Sequence, residues 1–411
     1  MRKFNFISIF LLLFLFTELI QSQTTWVQQV SGTTQDFYSV YFLDANTGYA
    51  VGTNGTIRKT TNGGTNWNSI TSGTTNDFYE VFFLNVTTGY VSGTNGTIRK
   101  TTNGGTNWTA QTSGTNNTLY EIFFADYNTG YVAGSNGTIR KTTNSGTNWV
   151  AQTSGTNNDL YEVNFIPAGR GFVVGSAGTI RCTTNGGTNW NPQTSGTNNS
   201  LLDVRFSNNM DINNLYAVGM NGTILKTINS GTNWNPLVSG TTNDLYEIHF
   251  TYSSVGYTVG QNGTILHTTN SGVNWMHLVS GTNNDLHSVY FPVPNTGYSV
   301  GSNGTILKTT SGYVAIEPAW NSVPDKFCLF QNYPNPFNPV TKIKFQTAGH
   351  NFVTIKVFDV LGRTVAELIN KELMPGSYEV EWDGTGYPSG VYFYTITAGN
   401  YSDTRQMVLL K

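Results

Sequence analysis

A thirteen-residue segment, Gly55-Thr56-Ile57-Arg58-Lys59-Thr60-Thr61-Asn62-Gly63-Gly64-Thr65-Asn66-Trp67, returns with small changes along most of the chain, and this self-similarity restricts the fold more than any other feature. Its tryptophans fall at Trp26, Trp67, Trp108, Trp149, Trp190, Trp234 and Trp275, in steps of 41 residues apart from one of 44. Gly-Thr-Ile triplets begin at Gly55, Gly96, Gly137, Gly178, Gly222, Gly263 and Gly304, so each series has seven members. Within one repeat, Tyr79, Val81 and Phe83 alternate with Glu80 and Phe82, the period-2 signature of a strand. Turns at 87–89, 94–96 and 103–105 separate three further short strands. Four short antiparallel strands per ~40–45 residues is the arithmetic of a propeller blade, not of a helical solenoid.

The two ends of the array complement each other. The Trp-led segment 26–30 precedes any other strand of its repeat, whereas the last repeat stops after 304–310 without a Trp-led strand. Pairing the orphan with the strand near Ile306 gives an all-β fold: a seven-bladed β-propeller closed by its own N-terminal strand, without the open sheet edges that invite aggregation.

Only 11% of the residues are charged while aromatics reach 13%, which favours strands and tight turns over disorder. The net charge of −2, with both signs mixed along the chain, provides no field for a polyanion, so nucleic acid is excluded as an expected partner. Cys182 and Cys328 have no metal-ligand or redox spacing and are expected to be unpaired packing residues. Residues 1–22 carry Arg2 and Lys3, then the apolar run 4–16, then small Ser22, which is the layout of a secretory signal peptide for the Sec pathway. No integral membrane span is expected elsewhere.

The segment Thr60-x-Asn62-x-Gly64-x-Asn66-Trp67 resembles the Asp-box, or BNR repeat, with Asn in place of Asp at positions 62, 103, 144, 185, 229 and 270. Asn keeps the hydrogen bonds to the turn and removes the charge. Together with the Gly-Tyr-x-Val-Gly and Asn-Gly-Thr-Ile elements, the repeat over 24–311 is similar to the propellers of the photosystem II stability and assembly factor family, a resemblance that implies the fold.

Composition changes near residue 313, where the Thr-Asn-Gly pattern stops and prolines appear. The expected organisation is a signal peptide at 1–22, the propeller at 23–312, a linker at 313–325 and a small C-terminal β-sandwich at 326–411. That last segment contains, in order, 331–339 with Asn332, Pro334, Asn335, Pro336, Phe337 and Asn338, then the turn of Gly362, the Ser389-Gly390-Val391-Tyr392 element and the terminal Lys411. These motifs closely resemble the type A C-terminal sorting domain of the type IX secretion system. The resemblance implies passage across the outer membrane, with the secretion machinery and its sortase as partners, and a product released or held at the cell surface.

No catalytic constellation stands out. Sialidases combine propellers with Asp-boxes but need an arginine cluster, a tyrosine nucleophile with its glutamate, and an acidic aspartate, all converging on one point. Arg58, Arg99, Arg140 and Arg181 instead occupy one equivalent position in four successive repeats, with Leu225, Leu266 and Leu307 in the other three. Two roles are open to this stripe: pairing with the inner-strand carboxylates Glu80, Glu121, Glu162 and Asp203, or forming a basic band that binds an acidic partner. The adjacent Lys59, Lys100, Lys141, Lys226 and Lys308 are expected to reach solvent. His249, His267, His277 and His287 lack metal-ligand spacing, so neither a metal nor another cofactor is expected. The resulting expectation is a non-enzymatic binding or scaffold module for an unidentified protein or glycan, with loops 72–77 and 94–96 and their equivalents as the contact face. The alternatives are a degenerate sialidase-like enzyme or an assembly factor for another exported protein.

Overall fold

The computed structural model describes residues 26–166, 169–208, 211–310, 326–348, 351–373 and 376–411; the expected leader and linker lie outside them. The chain divides into two compact units, Met1–Tyr313 and Val314–Lys411. No helix among the described residues is long and apolar enough to cross a membrane.

The first unit is built from one module. In the second repeat, strands Phe78–Phe83, Gly89–Gly93, Ile98–Thr101 and Thr109–Gln111 pair antiparallel in chain order, from innermost to outermost. Six sheets follow this order. A seventh comprises Leu286–Val293, Thr296–Gly301, Ile306–Thr309 and the N-terminal Val27–Gln28, with Val27 opposite Lys308 and Gln28 opposite Leu307. The inner strands Phe37–Phe42 and Leu286–Val293 are neighbours, since the Val40 amide donates to Ser288 Oγ at 3.1 Å. We number the blades 1 to 7 from the one that begins with Phe37–Phe42.

Local chemistry explains why each repeat turns where it does. Asn62 Oδ1 accepts from the Asn66 amide and Thr60 Oγ1 from the Gly64 amide, so the Asn-for-Asp exchange does preserve the turn. The turn between the second and third strands places Asn54 at φ 53°, a left-handed conformation that asparagine tolerates. Its amide donates to Asp77 of the next blade at 2.8 Å, and the same contact joins Asn303 of blade 7 to Asp36 of blade 1. The tryptophans are core residues: Trp67 is 6% exposed and meets Phe42 edge to face at 5.9 Å.

The lysines depart from expectation. Lys59 donates to the Gly104 carbonyl of the next blade at 2.7 Å, beside the Tyr49 hydroxyl, which donates to the same oxygen at 2.9 Å. The ammonium also lies 5.3 Å from the Tyr49 ring centroid, and burial lowers its pKa. Lys100, Lys141, Lys226 and Lys308 repeat this bridge with Tyr90, Tyr131, Tyr216 and Tyr298. The lysine stem is long enough to cross to the adjacent blade, where a turn carbonyl awaits a second donor; the side chain is therefore an inter-blade latch.

The C-terminal unit contains a three-stranded sheet, with Val340–Thr347 between Cys328–Leu329 and Gly376–Asp383, and a four-stranded sheet in the order Thr364–Leu373, Asn351–Phe358, Gly390–Ala398, Tyr401–Leu409. Ile343, Phe345, Ile355, Val357, Tyr394 and Met407 form its core. Both cysteines are free, as expected.

Candidate functional site

The inner strand of each blade pairs on one side only, which leaves backbone N–H groups facing the central channel without a ladder partner. In blades 7, 1, 5 and 6 one side chain supplies the missing acceptor. Ser288, Ser39, Asp203 and Glu247 accept from the amides of Val40, Val81, Ile248 and Val289 respectively, each in the following blade. The same position in blades 2, 3 and 4 holds Glu80, Glu121 and Glu162. Five consecutive blades thus direct a carboxyl group inward.

Two residues further along, the equivalent positions are Tyr41, Phe82, Phe123, Asn164, Arg205, His249 and Tyr290. This is where a nearly uniform repeat loses its uniformity. All seven line a cavity of about 470 Å3, together with Glu80, Glu247 and the rim residue Ala125. The volume falls within the ~300–1,000 Å3 typical of ligand pockets.

Arg205 organises the electrostatics. It lies 3.4 Å from Glu162, 3.2 Å from Asp203 and 3.3 Å from Glu247, and these carboxylates hold its pKa well above the ordinary arginine value despite burial. The carboxyl groups shift upward, mainly through burial: Glu80 to about 8, with Glu247 as the next cause, and Glu247 to about 7. Glu121 and Glu162 are also raised, mainly by burial. His249 falls to about 3 through burial and the nearby Arg205 charge, and so stands as a neutral imidazole. At the start of the inner strands an aromatic collar runs round the channel, with Tyr38 stacked on Tyr79 at 4.9 Å, Tyr79 edge to face with Tyr120 at 5.3 Å, and His287 between Tyr246 and Tyr38 at 5.1 Å from each. The collar lies beside loops 72–77, whereas the cavity is on the side of the carboxyl layer where the inner strands end.

The four arginines of the stripe lie outside the channel, at the loops equivalent to 72–77. Arg58 and Arg99 donate to the Gly32 and Gly73 carbonyls at 2.7 Å, and Arg140 and Arg181 make the same contact with Gly114 and Gly155. Their pairing with Glu80, Glu121, Glu162 and Asp203 is thus overturned: the arginines sit on the third strand and reach the loop entering their own blade, while the carboxyl groups face the channel. Among the described residues the guanidinium that meets those carboxylates is that of Arg205, which the stripe did not include. Aligning the seven inner strands would have exposed it, because Asn164, Arg205 and His249 interrupt a run of aromatic residues. Among the described residues no group of three or more His, Cys, Asp and Glu side chains has metal-holding geometry.

The sorting motif separates into buried and exposed parts. Asn332 donates to the Pro334 carbonyl and Thr341 Oγ1, while its amide donates to the Tyr394 hydroxyl at 2.8 Å. Phe337, 2% exposed, enters the core and pairs with Leu409, and Asn335 Oδ1 accepts from the Val408 amide. Pro334, Pro336, Asn338 and Gly390 face solvent, Gly362 turns the chain at φ 75°, and Lys411 Nζ donates to the Thr385 carbonyl.

The fold and channel define an all-β repeat propeller, coupled to a small β domain. Residues 19–284, in five overlapping segments (19–111, 65–153, 106–191, 144–238 and 188–284), match the family model described as photosynthesis system II assembly factor YCF48, and the chain belongs to that family. Residues 331–410 match the secretion system C-terminal sorting domain, which marks an exported, cell-surface or secreted protein with the secretion machinery as partner. A search of curated proteins finds no match. Among solved structures, one described as YCF48 bound to D1 peptide is 21% identical, covering 70% of this chain and 99% of that one with a TM-score of 0.60. YCF48 from Cyanidioschyzon merolae is 19% identical, covering 69% and 98% with a TM-score of 0.61. PorZ, a surface component of the type IX secretion system of Porphyromonas gingivalis, is 12% identical, covering 92% of this chain and 60% of that one with a TM-score of 0.53. At these identities the likeness is one of fold.

Proposed function

We propose that this chain is a non-enzymatic binding module, exported through the Sec and type IX routes, which takes a ligand or a projecting group of a partner into the channel of its propeller. The supporting observation is the inner ring at Tyr41, Phe82, Phe123, Asn164, Arg205, His249 and Tyr290: the rest of the blade repeats, while this ring varies and faces an open cavity. Residues that only pack are held to the repeat by identical neighbours, whereas residues facing a ligand are not. The likeness to a YCF48 structure with bound D1 peptide fits a propeller that receives a peptide. The C-terminal unit would deliver the module and is then removable by the sortase.

An array of glycans and peptides probed with the full chain and with Ala125→Trp tests this reading. Ala125 is exposed at the cavity rim, so the indole would cover the opening without disturbing the core. Binding by the native chain and its loss in the variant are expected. Unchanged binding in Ala125→Trp, or chemical turnover of a bound glycan, would overturn the proposal.

A further inference from the structure

Resting on the channel reading above, the geometry points to the chemistry of the ligand: we infer that the cavity takes an organic cation, a guanidinium or primary ammonium on a short aliphatic stem, seated against the Phe82, Phe123 and Tyr41 rings and ion-paired with Glu80.

The first ground is that the carboxyl groups exceed what the fold requires. Capping the inner-strand amides is a sufficient reason for an acceptor, but Ser39 and Ser288 perform that task with a neutral hydroxyl. Burying a carboxyl group instead incurs a large desolvation cost, and the chain does so in five successive blades. The second ground is the imbalance between acidic and basic side chains. Arg205 is the only guanidinium at this wall among the described residues, and it faces Glu162, Asp203 and Glu247. Those contacts are incomplete, because Glu162 Oε1 and Asp203 Oδ1 are buried without a hydrogen bond. Glu80 lines the cavity and has no ion-pair partner among the described residues. His249 adds no positive charge.

The third ground is the wall opposite. Phe82 and Phe123 lie 5.6 Å apart and Tyr41 lies 5.8 Å from Phe82, which gives an aromatic surface next to a carboxyl group. Aromatic faces attract cations, with gains that grow when water is excluded. An anion entering here would meet the surplus of carboxyl groups. A neutral ligand would leave Glu80 as it is in the empty site, held protonated at neutral pH.

A proton accompanies the exchange. Glu80 is raised to about 8 by burial and by Glu247, and the groups facing it are Glu121, Glu162, Glu247, Arg205, Tyr41 and the hydroxyl of Ser39. The cation pairs with the carboxylate, so binding expels the Glu80 proton to solvent. Apparent affinity therefore rises with pH until about pH 8 and levels off above it, by up to about tenfold per pH unit.

Calorimetry on the full chain with butylguanidinium and its neutral isostere butylurea tests the inference at pH 6.5, 7.5 and 8.5, in two buffers of different ionisation enthalpy. Butylguanidinium is expected to bind at least ~10-fold more tightly than butylurea, with about one proton released per ligand at neutral pH. Glu80→Gln, nearly the same in shape, should lose that release and about tenfold of the affinity, with an unchanged circular dichroism spectrum as the check on folding. Equal binding of the two probes, or undiminished binding in Glu80→Gln, refutes the cation while leaving the channel as a binding site. Absence of binding by either probe also refutes it, and the Ala125→Trp array result then decides separately whether the channel reading stands. A peptide arm, acetyl-Gly-Arg-Gly-amide against its citrulline counterpart, identifies the source: stronger binding than butylguanidinium assigns the cation to a partner's arginine, and equal or weaker binding assigns it to a free small molecule.

Discussion

Two rows of side chains run round the propeller at equivalent positions and behave in opposite ways. The outer row of tyrosine and lysine latches is the same in blades 1, 2, 3, 5 and 7, where each pair donates to one turn carbonyl of the next blade. The inner row changes at each of blades 4, 5 and 6, through Asn164, Arg205 and His249. The latch partner is backbone and recurs identically in each turn, so any departure costs one hydrogen bond wherever it falls. The inner row faces a cavity, and a change there is limited only by its neighbours in the ring. Uniformity in the first row therefore records packing, and variety in the second records what the channel receives.

The largest effect should come from breaking the inner row at its single cation. Arg205→Met would leave Glu162, Asp203 and Glu247 without a counter-charge, and removing one member of a buried ion pair costs about 3–5 kcal/mol. Urea denaturation at pH 7 measures this loss. The penalty should shrink near pH 5, because the orphaned carboxyl groups can then bind protons. A loss below ~1 kcal/mol at pH 7 would mean that Arg205 carries no structural charge balance.

Glu80→Gln should have a smaller and pH-dependent effect. Glu80 and Glu247 have folded-state pKa values near 8 and 7, above their unfolded value, so the folded state holds extra protons between about pH 4.5 and 8. Stability tied to such groups is fully present below the unfolded pKa and falls as pH rises through the folded one. The native propeller should thus lose stability from pH 5 to pH 8, and Glu80→Gln should flatten that slope, becoming more stable than the native chain at pH 8.5 by roughly 2 kcal/mol. Thermal melts across that range give the result directly. Parallel slopes for the two proteins would show that Glu80 does not titrate there.

Much of the architecture could be read before any coordinates, because it depends on period and turn chemistry. The Trp67 series, the Asn62 turn and the Phe337 motif each carry a local physical signature. The site was less legible for two reasons. Charge suggests carboxylate partners for Arg58 and solvent for Lys59, whereas the structure gives them the Gly32 and Gly104 carbonyls, backbone groups that carry no mark in the sequence. The inner ring carries a mark, but it shows only when Arg205 and His249 are set against Phe82 and Phe123 at the same register. Which face of an inner strand borders a cavity follows from ring closure, and alternation alone does not supply it.

Blade 4 offers the smallest and most specific test. Phe172 and Cys182 stand there where the other latches have tyrosine and lysine, and among the described residues the Ser230 carbonyl of blade 5 receives only a long contact from Arg170, at 3.5 Å. The Phe172 ring already lies in the position of the latch rings, packed against Gly231 and edge to face with Trp234 at 6.2 Å. Phe172→Tyr therefore adds a hydroxyl aimed at Ser230 without moving the ring, and one hydrogen bond of this kind is worth about 0.5–1.5 kcal/mol. A gain of that size in the urea midpoint, with an unchanged slope, is expected; the converse change, Tyr49→Phe, should lose a similar amount because Lys59 still holds the Gly104 carbonyl. Equal and opposite effects at the two sites would establish that the latch acts blade by blade, and a loss in Phe172→Tyr would show instead that the blade 4 seam is packed to exclude a polar group.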